Sequence, residues 1–192
     1  MKTLKFLISV FVLLFALNMH AQSRTFEELE QATYPATLNP LYLTGLFDGR
    51  NFDTIGLFPV EIQEEYFPSE DITEYYSEKW LLMSKHGTVP QKEIESYWPE
   101  LIDEGDLDAN GTTEFGILFT GLNGCWTGYQ VFDVHKGKLR EFTRMLNEYS
   151  CDTITTDRFV WREDGKIKYL ERDWNYRDEF DFPKWVIRVL KR

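Results

Sequence analysis

The sequence predicts an α+β domain that is mainly antiparallel β, with short helices near its N-terminal end and a β-meander at its C-terminal end. Three observations predict this. From residue 115 onwards, apolar residues alternate or run in short blocks, as strands do. Lys136-Gly137 and Asp164-Gly165 stand between such blocks as two-residue hairpin signals. The earlier part instead carries acidic segments with capping residues, punctuated by proline.

Residues 1–21 read as a secretory signal peptide. Lys2 and Lys5 form a short positive region, Phe6 to Leu17 is nearly continuous apolar sequence, and Ala21 closes the segment with a small residue. The apolar run is shorter than the ~20 residues a spanning helix needs, which disfavours an uncleaved anchor. Residues 22–192 are then a single mature domain, periplasmic or extracellular, with no transmembrane segment. Residues 1–21 carry two lysines and no acid, so the formal charge of −11 becomes −13 in residues 22–192. Phosphate binding depends on Lys and Arg, so this charge argues against nucleic acid as a partner. It favours a protein partner with a basic surface and would speed encounter with one.

Arg24 to Thr33 reads as a short helix, with Glu27, Glu28 and Glu30 in its first turns and Tyr34-Pro35 as the stop. Residues 35–54 are rich in turn formers. Ile55 to Ile62 reads as a strand, and Pro59 argues for an edge position. Glu61 to Glu78 is acidic and aromatic; Pro68-Ser69 breaks it, and Ser69 is a fair N-cap for a short helix reaching Ser77. Lys79 to Ser84 reads as a strand. Val89 to Trp98 is a linker or a short helix stopped by Pro99. Further strands follow at Phe115 to Phe119, Cys125 to Val134, Lys138 to Met145, Thr156 to Arg162, Lys166 to Asp173 and Lys184 to Leu190. In the last, Trp185, Ile187 and Val189 share one face.

One segment carries recognisable chemistry. Residues 106–115 read Asp106-Leu107-Asp108-Ala109-Asn110-Gly111-Thr112-Thr113-Glu114-Phe115. Side-chain oxygens fall at positions 1, 3, 5 and 9. Gly111 at position 6 permits a sharp turn, and the carbonyl of Thr112 at position 7 can point inward. A hard cation that takes six to eight oxygen ligands needs such an arrangement, so the expected cofactor is Ca2+. Three carboxylates converging within nine residues would otherwise repel one another. The alternative is an Asx-rich turn whose charges are solvated.

The stretch resembles the calcium loop of integrin-like FG-GAP repeats, in which an acid-rich turn with a glycine precedes a strand. The resemblance implies that Asp106, Asp108, Asn110 and Glu114 supply side-chain ligands. Asn110 stands where an Asp is more usual, and Ala109 replaces a frequent Gly. An EF-hand is a poorer match, because the position of its bidentate Glu is Ile117. The resemblance covers these ten residues alone. FG-GAP proteins are multi-bladed propellers and one copy cannot build one, so the ligands carry over and the fold does not.

The two cysteines, Cys125 and Cys151, are expected to form a disulfide in an oxidising compartment; two separate buried thiols are the alternative. Nucleophile elbows, phosphate loops, dinucleotide fingerprints and zincin motifs do not occur. His86 reads as a loop residue and not a general base, and His135 as a solvated residue adjoining a hairpin turn. The six tryptophans read as core packing or as an exposed binding patch. The sequence thus points to an exported calcium-binding, non-catalytic protein-binding domain. Its concrete form would be an inhibitor or immunity-type protein against a basic toxin or cell-wall enzyme. The alternative is an envelope carbohydrate-binding protein or glycan hydrolase.

Overall fold

A computed structural model describes residues 24–67, 70–121, 126–143, 146–149, 159–177 and 183–190. The expected signal peptide and both members of the expected Cys125–Cys151 bridge lie outside the described residues. The chain falls into two compact units, residues 1–32 and 33–192. The first contributes one short helix, α1 (Phe26–Glu30). Thr25 and Glu28 form its capping box: the Thr25 hydroxyl oxygen accepts from the Glu28 N–H at 3.2 Å, and Glu28 Oε2 accepts from the Thr25 N–H at 2.8 Å.

The second unit is built from antiparallel strands, and the α+β expectation with short N-terminal helices is corrected here. Strand makes up 58% of the structure against 4% helix, which sets the class as β. The strands are β1 (Leu41–Gly45), β2 (Asp53–Pro59), β3 (Ile62–Phe67), β4 (Ile72–Ser77), β5 (Lys79–Ser84), β6 (Lys92–Glu95), β7 (Glu100–Gly105), β8 (Glu114–Thr120), β9 (Trp126–His135), β10 (Lys138–Glu141), β11 (Leu146–Tyr149), β12 (Val160–Glu163), β13 (Lys166–Arg177) and β14 (Pro183–Val189). In place of the helix expected from Ser69 to Ser77 stands strand β4 (Ile72–Ser77), paired with β3. Here Tyr75, Tyr76 and Ile72 have strand propensity, and a sequence-local cap does not outweigh a cross-strand partner. The stretch read as a linker or helix after Val89 contains β6, and β1 lies inside the turn-rich 35–54 region.

Four sheets result. The first runs β1-β2-β5-β6, the second β10-β9-β8-β7 with β11 also on β9, the third β12-β13-β14, and β3-β4 form a two-stranded fourth. Pro59 lies in an inner strand, not at an edge. The Val60 N–H bonds the Lys79 carbonyl at 3.0 Å, so the Pro59 nitrogen faces the opposite side, beyond the end of β1, where no N–H is needed.

The inner strands of the β7–β11 sheet, β8 and most of β9, are covered on both faces. On one, Phe115, Ile117, Phe119, Phe132 and Val134 pack with Ile55, Leu57, Trp80 and Leu82 of the first sheet. On the other, Tyr129, Val131 and Leu118 pack with Val160, Ile167 and Tyr169 of the third, and the Tyr129 and Phe159 rings stack at 4.8 Å. β9 is long because it serves two partners on one side: β10 along its C-terminal half and β11 along its N-terminal half. Between them the N–H groups of Phe142 and Thr143 both address the Val131 carbonyl, at 2.8 and 3.4 Å, as in a β-bulge.

The hairpin turns lie where the sequence put them. Lys136 and Gly137 take φ of 52° and 71°, Asp164 and Gly165 52° and 70°, the left-handed pair that a two-residue turn with the strands' own twist demands. At the centre of the sheet, Gly116 has a different role. The Tyr129 ring crosses β8 directly over it, in the space a Cβ would occupy. Gly116→Ala is therefore expected to destabilise the fold by about 2–3 kcal/mol through overpacking, read as a lowered denaturant midpoint at unchanged slope. An unchanged midpoint would contradict this packing.

Candidate metal centre

The loop between β7 and β8 is the 106–114 segment. Its entry is set by a bulge in β7, where the register shifts between Asp103 and Gly105. Its exit is tied to the residue that follows β1: the Thr113 N–H donates to the Leu46 carbonyl, and the Leu46 N–H donates to Thr113 Oγ1, both at 3.0 Å. Leu107 is anchored in the second core at 2% exposure. The turn is wound tightly enough that Ala109 and Gly111 both adopt left-handed backbone, φ 60° and 86°.

This winding folds the side chains back onto the loop. Asp106 accepts from the N–H groups of Asn110 and Gly111, each at 3.0 Å, and Asp108 from Asn110 N–H at 3.2 Å. Asn110 Oδ1 accepts from Thr112 N–H at 2.7 Å. Thr112 was expected to contribute its carbonyl; its hydroxyl is the group seen within hydrogen-bonding reach of both Asn110 Oδ1 and Glu114 Oε1, the latter at 3.1 Å. Glu114 is fully buried, and its Oε2 accepts from Leu107 N–H at 2.6 Å. One oxygen from each of Asp106, Asp108 and Glu114 lies within 4.8 Å of the others. Two ligands on opposite sides of a calcium ion at ~2.4 Å each would stand ~4.8 Å apart, so these three oxygens lie within reach of a single ion.

The electrostatics follow from burial. Loss of solvent pushes the Glu114 carboxyl up to about 7, and the charges of Asp108 and Asp106 add to the rise, against the opposing bonds from Leu107 and Thr112. Arg140 partly relieves the crowding. It holds the buried Asp133 through Nε–Oδ1 at 2.9 Å and a second Nη2–Oδ2 contact, and its own pKa is raised first by that bond and further by the fields of Asp108 and Glu114. Phe115 opposite Phe132 leaves Glu114 beside Asp133, and Asp133 opposes Arg140, so the three form a row across β8, β9 and β10. On the same face Glu104, also buried, accepts from the Tyr129 hydroxyl. Burial first, and then the Glu104 charge and hydrogen bond, push the Tyr129 pKa upward.

The structure thus brings Asp106, Asp108 and Glu114 together, with Asn110 and Thr112 bonded into the same turn. Sequence reasoning missed Arg140 and Asp133. Both were within reach: a two-residue turn at Lys136-Gly137 makes residues 133 and 140 cross-strand partners. Among known proteins, the chain matches no family model, no curated protein and no solved structure. Among the described residues, no helix is long and apolar enough to cross a membrane.

Two outcomes are expected of the chain in chelator. In the folded chain Glu114 titrates at about 7, above its usual 4.5, so the folded state holds the extra proton between those values and loses stability as pH rises through them. Wild type should therefore lose on the order of 2–3 kcal/mol between pH 4.5 and 8 relative to Glu114→Gln, measured by urea unfolding of both; parallel pH profiles would refute it. Ala109→Gly relieves left-handed strain and should raise stability by about 1 kcal/mol, read in the same unfolding series.

Proposed function

We propose that the chain is an exported, calcium-stabilised β domain that acts by binding a basic protein, as an inhibitor or immunity-type protein would, and not by catalysis. The observation that carries the calcium part is the convergence of Asp106, Asp108 and Glu114 oxygens within 4.8 Å around a buried carboxylate. Asp106, Asp108 and Glu114 would contribute carboxylate oxygens, with Asn110 and Thr112 completing the turn. Such an ion would replace proton uptake at Glu114 as the means of offsetting the buried charge. Extracytoplasmic sites of this kind work at dissociation constants as weak as 10⁻⁴–10⁻³ M, so a modest ligand set suffices. The basic partner follows from the charge of −13 in residues 22–192, which steers a cationic surface into contact. A carbohydrate-binding reading has one observation of its own. Tyr76, Tyr97 and Trp98 stand in a row at ring spacings of 5.8 and 5.9 Å, and Trp98 is 46% exposed.

Calcium at about 100 times its dissociation constant should add about 2.7 kcal/mol to stability, seen as an upward shift of the thermal midpoint that Asp108→Ala abolishes. A midpoint indifferent to millimolar calcium would remove the metal from the proposal. For the partner, affinity capture on the immobilised mature chain at low salt is expected to retain a basic protein that elutes with salt. Failure to retain one, with glycans instead quenching Trp98 fluorescence, would favour the carbohydrate reading.

A further inference from the structure

The β3–β4 hairpin is the far half of a longer ribbon. Ile55 pairs with Ser84 and Pro59 with Trp80; Ile62 pairs with Ser77 and Phe67 with Ile72, the same register carried past bends at Glu61 and Glu78. The near half is flanked by β1 and β6 and is almost wholly buried. Past Val60 and Lys79 both flanking strands stop, and the far half is mostly exposed. No other described strand pairs with β3 or β4. The ribbon thus projects from the first sheet as an arm with two unpaired edges, the feature proteins ordinarily protect or use.

The arm's side chains are unusual. Residues 61–78 contain seven acids and no Lys or Arg. Glu65 and Glu74 stand directly opposite one another, a like-charge pair that costs stability on a two-stranded ribbon. No ion pair reaches Glu64, Glu65, Glu70 or Glu74 among the described residues. Beside the opposed acids on the same face lie Phe67 and Ile72 toward the tip, Ile72 at 44% exposure, and Tyr76 toward the base. Tyr76 continues into Tyr97 and Trp98. The other face turns Tyr75 toward the first core at its base and leaves Ile62 and Tyr66 exposed. The outward face therefore sets two uncompensated carboxylates between aromatic rings, which is what a guanidinium or ammonium group accepts: charge pairing from the acids and cation–π contact from the rings.

We infer that this outward face of the β3–β4 arm is the docking surface for the basic protein partner, with an Arg or Lys side chain seated between Glu65 and Glu74. The inference rests on the basic-partner reading above and locates its interface. Cation binding there relieves a repulsion built into the unbound arm, so the same residues should oppose stability and favour binding.

The test uses the whole mature chain and a deca-arginine peptide as probe at low salt. Hydrogen exchange should slow on residues 62–67 and 72–77 when the peptide binds. Glu65→Gln with Glu74→Gln should raise the thermal midpoint and weaken peptide affinity about tenfold, as expected for losing two charge contacts. Glu100→Gln with Glu141→Gln, which removes equal charge elsewhere, should change affinity much less. Equal losses in both variants, or protection mapped off the arm, would overturn the docking surface while leaving a basic partner standing. No peptide binding to the wild-type chain at low salt would overturn both. A chain that dimerises through the arm, dissociating on Tyr66→Ser, would overturn the inference in favour of a second copy as occupant.

Discussion

The structure depends on one constraint: β8 and most of β9, the inner strands of the second sheet, must be dry on both of their faces. An antiparallel sheet more often keeps one face in water and alternates accordingly. Here β8 runs Phe115-Gly116-Ile117-Leu118-Phe119, apolar on both sides, and the first and third sheets exist to cover it. Gly116 is small because a tyrosine from the next strand must lie flat across it. The buried carboxylates on the inner faces are few and engaged: Asp133 by Arg140, Glu104 by Tyr129, and Glu114 by Leu107 and Thr112.

That constraint also explains the acidic loop. Glu114 is the first residue of β8, so its side chain points into a dry layer by register, and among the described residues its carboxylate has no arginine bonded to it as Asp133 has. The loop wraps around it, offering N–H and hydroxyl donors, yet it also brings Asp106 and Asp108 close. A turn that concentrates negative charge around a buried acid is costly in isolation, and either protons or a cation would offset it. This physical tension, more than the spacing of oxygens, makes the loop a candidate for metal.

Sequence patterning was informative where local chemistry decides the outcome. The left-handed pairs at Lys136-Gly137 and Asp164-Gly165 demand turns whatever surrounds them, and the oxygen pattern at 106–114 describes a tight bend by itself. Legibility failed where pairing decides. Residues 69–77 offer an N-cap and acids in the right places for a helix, and only the presence of β3 opposite makes Ile72–Ser77 strand. β1 and β6 are short and lie among turn formers, so their strand character comes from the neighbours they join. Pro59 looked like an edge marker because sequence shows the missing N–H but not which side of the strand it faces. At the candidate site the ligand residues were visible and the supporting row of Asp133 and Arg140 was not, since that row is assembled across three strands.

The continuous register from Ile55–Ser84 out to Phe67–Ile72 has a consequence for the arm's orientation. Sliding one strand past the other by a single residue would take Leu57 or Leu82 out of the place it fills and put Gly56, Phe58, Leu81 or Met83 there, undoing packing on both faces, so the inner half resists it. The outer half has little packing of its own to choose which side chains face outward. It inherits that choice, and an element standing in water displays one fixed face because hydrophobic residues some twenty ångströms away, about six residues of strand, have nowhere else to go.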